Sequence, residues 1–253
     1  MHSVSPKKRL GQHFLKDMNI ARKIVGSVSC DAGFIIEIGP GTGVLTELLI
    51  NEKRNFIAVD IDNESIEYLK NRFPNHSEKI IFGDFLKTDI SQYNNKNITI
   101  LGNLPYNISS QIFFRILENK NIVSEVVCMV QKEVAERIVS KPGTKVYGIL
   151  SVLIQAFYNT EILFSVSEKV FIPPPKVRSA VMHFTRNKRK TLPCDEKLFF
   201  EIVKKAFNQR RKILRNSLRG FDVSLLDNDV LLKRPEQLSV EDFVNIALNI
   251  KRN

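Results

Sequence analysis

Cysteine is scarce: Cys30, Cys128 and Cys194 are spread over 253 residues, with no CxxC pair and no histidine at ligand spacing. An odd, scattered count points to a reducing compartment and excludes a disulfide scaffold. No metal is expected, because the spacings that build a zinc site are missing. Long apolar runs are also lacking. None approaches the roughly 18 residues of a membrane span, and the N-terminus has no signal-peptide apolar core. These absences predict a soluble, cytoplasmic protein without a membrane partner. No internal repeat or low-complexity tract is present, and a monomer is the default expectation.

What is present suffices for a folded enzyme-sized body. Hydrophobic residues make up 43% of the chain, enough for one large domain or a domain plus a small one. Lys plus Arg number 38 against 27 Asp plus Glu, a net charge of +11 that favours a polyanionic partner. Charge by itself does not choose between nucleic acid and an anionic membrane.

The chain is organised around Asn103-Leu104-Pro105-Tyr106, which follows the apolar run Ile98–Leu101 and Gly102. A β-branched run ending in Gly and then Pro reads as a buried strand that stops, leaving these four residues at its carboxyl edge, where open α/β sheets bind ligands. Asn103 offers an amide oxygen, Pro105 stiffens the turn and Tyr106 presents a π-face. Such a set can hold a planar, amine-bearing ring. The alternative is a simple strand-to-helix turn in which Asn caps the next helix.

Upstream, Phe34–Ile38 runs into Gly39-Pro40-Gly41-Thr42-Gly43, and Val44, Leu45, Leu48 and Leu49 then have the spacing of a helix face. Strand, glycine turn and helix form half of a nucleotide-binding βαβ unit. The spacing ExGxGxG, with Glu37 leading, is not the GxGxxG of a dinucleotide site, and it suits S-adenosylmethionine, which has no pyrophosphate to place. The next strand, 55–59, ends at Asp60, whose carboxylate can accept from both ribose hydroxyls. After a helix over 63–72, the strand 79–82 delivers Gly83-Asp84-Phe85, with Asp84 placed to accept from an adenine amine and Phe85 to pack on the ring. Asp60 and Asp62 also have a plain reading as surface acids. A glycine loop and two acids on successive strand tips together point to an adenosyl cofactor.

Further helices are expected over 19–28, 109–117 with a serine cap, 131–140, 147–157 and 240–250, and further strands over 126–130, 161–166 and 178–184. Between the last two strands, Pro173, Pro174 and Pro175 force an extended strap. Phe171 just before it is either a second aromatic jaw opposite Tyr106 or a core residue. From Arg186 to Arg219 there are 12 Lys or Arg against three acids, including a helical run from Phe199 onward and Arg210, Arg211, Lys212 and Arg215. A basic helix face of that density suits a phosphate backbone, as does Lys7-Lys8-Arg9 near the start; a solvated face or tail is the alternative for each. A domain boundary is expected near residue 185, separating 1–185 from a small basic helical domain, 186–253.

With these residues in hand, the chain resembles the bacterial rRNA adenine N6-dimethyltransferases of the small-subunit (16S) family, whose loss gives kasugamycin resistance. The likeness rests on GQHFL, EIGPGTG, Asp60, Gly83-Asp84, NLPYNIS, FIPPPKVRSAV, AFNQRRKILRNSL and RPEQLS, which span nearly the whole chain. It implies an α/β, Rossmann-like class I S-adenosylmethionine-dependent methyltransferase domain with a small α-helical C-terminal domain. It implies N6-dimethylation of two adjacent adenosines in the 3′-terminal hairpin of 16S rRNA during ribosome biogenesis, on free rRNA or the immature 30S particle. Cofactor contacts are implied at His13, Leu15, Gly39, Asp60, Asp84 and Asn103, with Gly41 in the same loop. Asn103 and the Leu104 carbonyl would accept from the target amine, and Tyr106 and Phe171 would clamp the base. His13 stands where Asn is frequent in the family and Asp60 where Glu is frequent. The rival readings are a large-subunit (23S) rRNA methyltransferase of the macrolide-resistance type and a non-catalytic RNA-binding assembly factor. An NAD-dependent oxidoreductase fails on the loop spacing.

Overall fold

The computed structural model describes residues 4–93 and 97–252. Five strands are parallel and ordered by crossovers: β1 (Phe34–Ile38), β2 (Phe56–Asp60), β3 (Ile80–Phe82), β4 (Ile98–Asn103) and β5 (Val123–Gln131). With β6 (Tyr158–Val166) and β7 (Ser179–Arg186) they form one seven-stranded sheet in the order β3-β2-β1-β4-β5-β7-β6, in which β7 runs antiparallel to β5. Every residue of β1 and β2 is buried, the pattern of parallel strands covered on both faces, which is why these segments are apolar apart from Glu37 and the terminal Asp60.

The helices between them follow local signals. Asp17 caps α1 (Met18–Val25), its carboxylate accepting from the Asn19 and Ile20 N–H groups, and Gly43 opens α2 (Val44–Asn51) at φ +83°. A β-carbon on Gly43 would sit 2.5 Å from Leu69 Cδ2 of α3 (Asn63–Arg72), so this turn needs glycine for both its backbone angle and its close packing. Helix α4 (Ser109–Glu118) starts without a serine cap: Ile108 holds the cap position, and the Ser109 hydroxyl donates back to the Tyr106 carbonyl. At the amino edge of the sheet a buried Glu125 carboxylate accepts from Ser29, Thr99 and His183, pinning the end of α1 to β4, β5 and β7.

The chain divides into two compact units, residues 1–135 with 161–186, and residues 136–160 with 187–253. Residues 136–160, which a boundary near 185 leaves with the first domain, thus pack with the second. Part of the reason is a backbone bond from the Gly143 N–H to the Glu236 carbonyl at 2.6 Å. Helix α5 (Lys132–Val139) follows β5; in the second unit α6 (Ile149–Gln155), α7 (Glu196–Asn208) and α10 (Val240–Asn249), the last preceded by the short α9 (Asn228–Leu231), pack on one another, and Phe207 meets both Tyr147 and Phe243 at ring-centroid distances of 6.1 and 5.9 Å. Ser239 and Asp242 form a reciprocal cap at the start of α10. Helix α7 ends at Asn208 and does not continue through the basic run. Arg210–Lys212 lie in a turn before the short α8 (Leu214–Ser217).

Candidate active site

The carboxyl ends of β1 to β4 open onto one cavity of the first unit, lined by Gly39 and Gly41 from the β1 loop, Asp60 and Ile61 after β2, Asp84 after β3, and Asn103–Ile108 after β4. Residues 10–14 form its remaining wall. A smaller cavity beside it is lined by Leu15, Glu37, Gly39, Gly41 and Asn103, among others. His13, Gly39, Gly41, Asp60, Asp84, Asn103, Leu104 and Tyr106 therefore converge on one place, with Leu15 on the adjoining cavity.

Each is held by a specific device. Gly41, at φ +57°, lies under the Phe14 ring, and a β-carbon there would stand 2.7 Å from Phe14 Cδ1. Asp60 is buried, its Oδ1 accepts from the Asp62 N–H at 2.9 Å, and burial pushes its carboxyl up to about 6. Asp84 Oδ1 accepts from the Leu86 N–H at 3.0 Å, which turns the carboxylate over the strand end. Asn103 donates through Nδ2 to the His13 carbonyl at 2.8 Å. That bond assigns the amide orientation and leaves Oδ1 as the free acceptor. The Tyr106 hydroxyl lies 2.5 Å from the buried Ser179 Oγ, and its ring stacks on His13 with centroids 5.5 Å apart.

Two expected aromatic roles are corrected. Phe171 is 1% exposed and lines neither cavity. It pairs with Leu15 in a two-stranded antiparallel ladder in which Phe14 pairs with Ile172, and side chains alternate across a strand. The Leu15–Phe171 pair therefore faces the core with Val166 and Val181, and the ring that packs on Tyr106 is that of His13. Phe85 is likewise buried, and Leu86 takes its place on the cavity wall.

Other residues support the site through contacts that no local pattern specifies. Glu37 is 1% exposed, its Oε2 accepts from the Thr46 hydroxyl at 2.7 Å, and its Oε1 has no partner; burial pushes its carboxyl up to about 7. Gln12 Nε2 donates to Asp62 at 3.1 Å, and Lys7 pairs with Asp62 and Glu64, latching the 7–13 segment along the cavity. Lys7 is thus engaged by two carboxylates, which hold its ammonium pKa up, and is not the free phosphate contact expected of it. Lys8 and Arg9 are exposed. In the second unit, Arg210 donates to the Lys145 carbonyl and Arg215 to Asn228 Oδ1, whereas Arg211 and Lys212 point to solvent. Among the described residues no group of three or more His, Cys, Asp or Glu can hold a metal ion, and no helix is long and apolar enough to cross a membrane.

A sheet of this order, with its reversed β7 and a glycine-loop cavity at the carboxyl edge, defines a class I S-adenosylmethionine-dependent methyltransferase. A solved dimethyladenosine transferase from Plasmodium falciparum matches with a TM-score of 0.76 and 25% identity, covering 92% of this chain and 96% of that one. The 23S rRNA methyltransferase ErmE matches in fold at a TM-score of 0.66 and 22% identity, covering 92% of this chain and 99% of that one. The chain belongs to the ribosomal RNA adenine dimethylase family, whose model matches residues 4–250. A ribosomal RNA small subunit methyltransferase A from Flavobacterium johnsoniae is 55% identical over 99% of this chain and 98% of that protein. Its counterpart from Bacteroides thetaiotaomicron is 52% identical, over 99% and 96%.

Proposed function

We propose that the protein dimethylates N6 of two adjacent adenosines in the 3′-terminal hairpin of small-subunit rRNA, acting in the cytoplasm as a monomer on the assembling particle. The observation that carries this reading is the free Asn103 Oδ1, aimed from a strand tip into a cavity shared with the glycine loop and two acids. When bound, S-adenosylmethionine supplies an electrophilic methyl group. The residues present fit it. Asp60 would accept from the ribose hydroxyls and Asp84 from the adenine amine, and Gly39 and Gly41 bring bare backbone to the cavity wall. The unpartnered Glu37 Oε1, buried beside Leu15 and Gly39, is an acceptor for a cationic tail.

On the substrate side, Asn103 Oδ1 and the Leu104 carbonyl would accept the two N–H bonds of the target amine. The amine lone pair is delocalised into the ring, so these acceptors work by orienting the nitrogen rather than by deprotonating it. Tyr106, fixed by Ser179, offers the extruded base a stacking face. Methyl transfer from labelled cofactor to undermethylated small subunits, large subunits and free RNA tests the reading. Dimethyladenosine in small-subunit rRNA is expected; label confined to large-subunit rRNA, or none, rules it out.

Two further outcomes follow from the site. Only ionised Asp60 can accept from both ribose hydroxyls, and its carboxyl titrates near 6, so affinity for the cofactor is lost as pH falls through that value. Calorimetry should find about a tenfold weaker Kd per pH unit below it, and Asp60→Asn should bind weakly without that step. For RNA, Arg211→Ala and Lys212→Ala should each lower the slope of log affinity against log salt by roughly 0.7–1, with cofactor affinity unchanged.

A further inference from the structure

The strap between Phe171 and Ser179 is tied at both ends to rings at the mouth of the cavity. The Pro173 carbonyl lies 2.7 Å from His13 Nδ1, and Ser179 Oγ lies 2.5 Å from the Tyr106 hydroxyl. Along this strap the chain exposes two branched aliphatic side chains, Ile172 at 53% just before the first tie and Val177 at 46% between the two. Ile172 shares a face of its ladder with Phe14, which itself lines the cavity. Lys176 and Arg178 are exposed beside them. Three consecutive prolines hold this surface in one shape, so it loses little conformational freedom when covered. Apolar groups flanked by cations, next to the pocket that takes the target base, match a strand whose flat bases alternate with phosphates. A second copy of this chain, at net charge +11, would meet repulsion instead.

We propose that the outer face of the strap, residues 172–178, receives the nucleotides flanking the adenosine extruded into the cavity. Ile172 and Val177 lie against their base faces, and Lys176 and Arg178 meet their phosphates. Extrusion breaks stacking on both sides of the target and leaves the neighbouring base faces wet. Aliphatic cover on those faces lowers the cost of holding the base out, so the strap acts on recognition of RNA and leaves cofactor binding alone. This rests on the RNA-methylation reading above.

The test uses the full chain, with small ribosomal subunits lacking the dimethylated adenosines as substrate. I172S/V177S should lower kcat/KM for subunits at least tenfold while the cofactor Kd stays within twofold of wild type. I172L/V177L should recover most of that loss. K176A/R178A should flatten the salt dependence of subunit binding. A kcat/KM for I172S/V177S within twofold of wild type overturns the proposal. So does a change in sedimentation from dimer to monomer without a change in kcat/KM, which would make the patch a self-interface. If the wild type methylates neither subunits nor free RNA, the functional reading itself fails and the strap proposal falls with it.

Discussion

Asn103→Ala is expected to cut methyl transfer by about 10²–10³-fold, the usual loss when a preorganised hydrogen-bonding group is taken from a water-poor site. The side chain serves two neighbours. Its Nδ2 donates to the His13 carbonyl, and its Oδ1 is left facing the cavity. Alanine removes both, and the two losses separate by measurement. The missing bond to His13 loosens one wall of the cavity and should weaken cofactor binding by about 1 kcal/mol, or roughly fivefold. The missing acceptor leaves the target amine free to rotate, and that loss should fall on kcat at saturating cofactor and RNA. Asn103→Asp does not substitute for the native residue, because it sets a carboxylate oxygen against the His13 carbonyl in place of a donor. Single-turnover transfer at saturating cofactor is the deciding measurement. Near-normal turnover by the alanine variant would remove Asn103 from the chemistry.

The strands and their ligand-bearing ends were legible because each obeys a local rule. Phe34–Ile38, apart from Glu37, and the run ending at Asp60 are apolar because parallel strands are covered on both faces, and each leads to the glycine or acid that the cavity uses. What escaped depends on pairings far apart in the chain. Gln12 with Asp62, and Tyr106 with Ser179, are 50 and 73 residues apart, and nothing in either neighbourhood specifies its partner. Phe171 was ambiguous for a different reason. Alternation along a two-residue strand sends one side chain in and the next out, and only the register with Leu15 says which. The end of α7 at Asn208 had no stop signal, since Arg and Lys are good helix formers and neither Gly nor Pro follows. Helix 149–155 joined the second unit through contacts such as that of Gly143 with Glu236, which no composition shift near residue 136 announces.

Gly102→Ala is expected to lower stability sharply. Read from sequence, Gly102 ends a strand; in the fold β4 runs on through it to Asn103, and the Leu104 N–H still bonds the Met129 carbonyl of β5. Its glycine is required by a neighbour. A β-carbon there would stand 2.5 Å from the carbonyl oxygen of Ile38, the last residue of β1, which is backbone held in a parallel ladder and cannot turn aside as a side chain would. Relief requires β1 and β4 to part at their carboxyl ends, costing about 3 kcal/mol for overpacking, or roughly 6–12 °C in Tm. The same shift moves Gly39 and Asn103, the two strand-tip residues that both cavities share. Cofactor affinity should therefore fall along with Tm, and added cofactor should recover less of the lost stability than it adds to wild type. By contrast, Gly143→Ala, with nothing within 4 Å of its added β-carbon, meets only the penalty of its φ of +86° and should leave methyl transfer untouched. Thermal melts of both variants with and without cofactor decide the matter: a Gly102→Ala protein that melts with wild type would mean the strands part there at little cost.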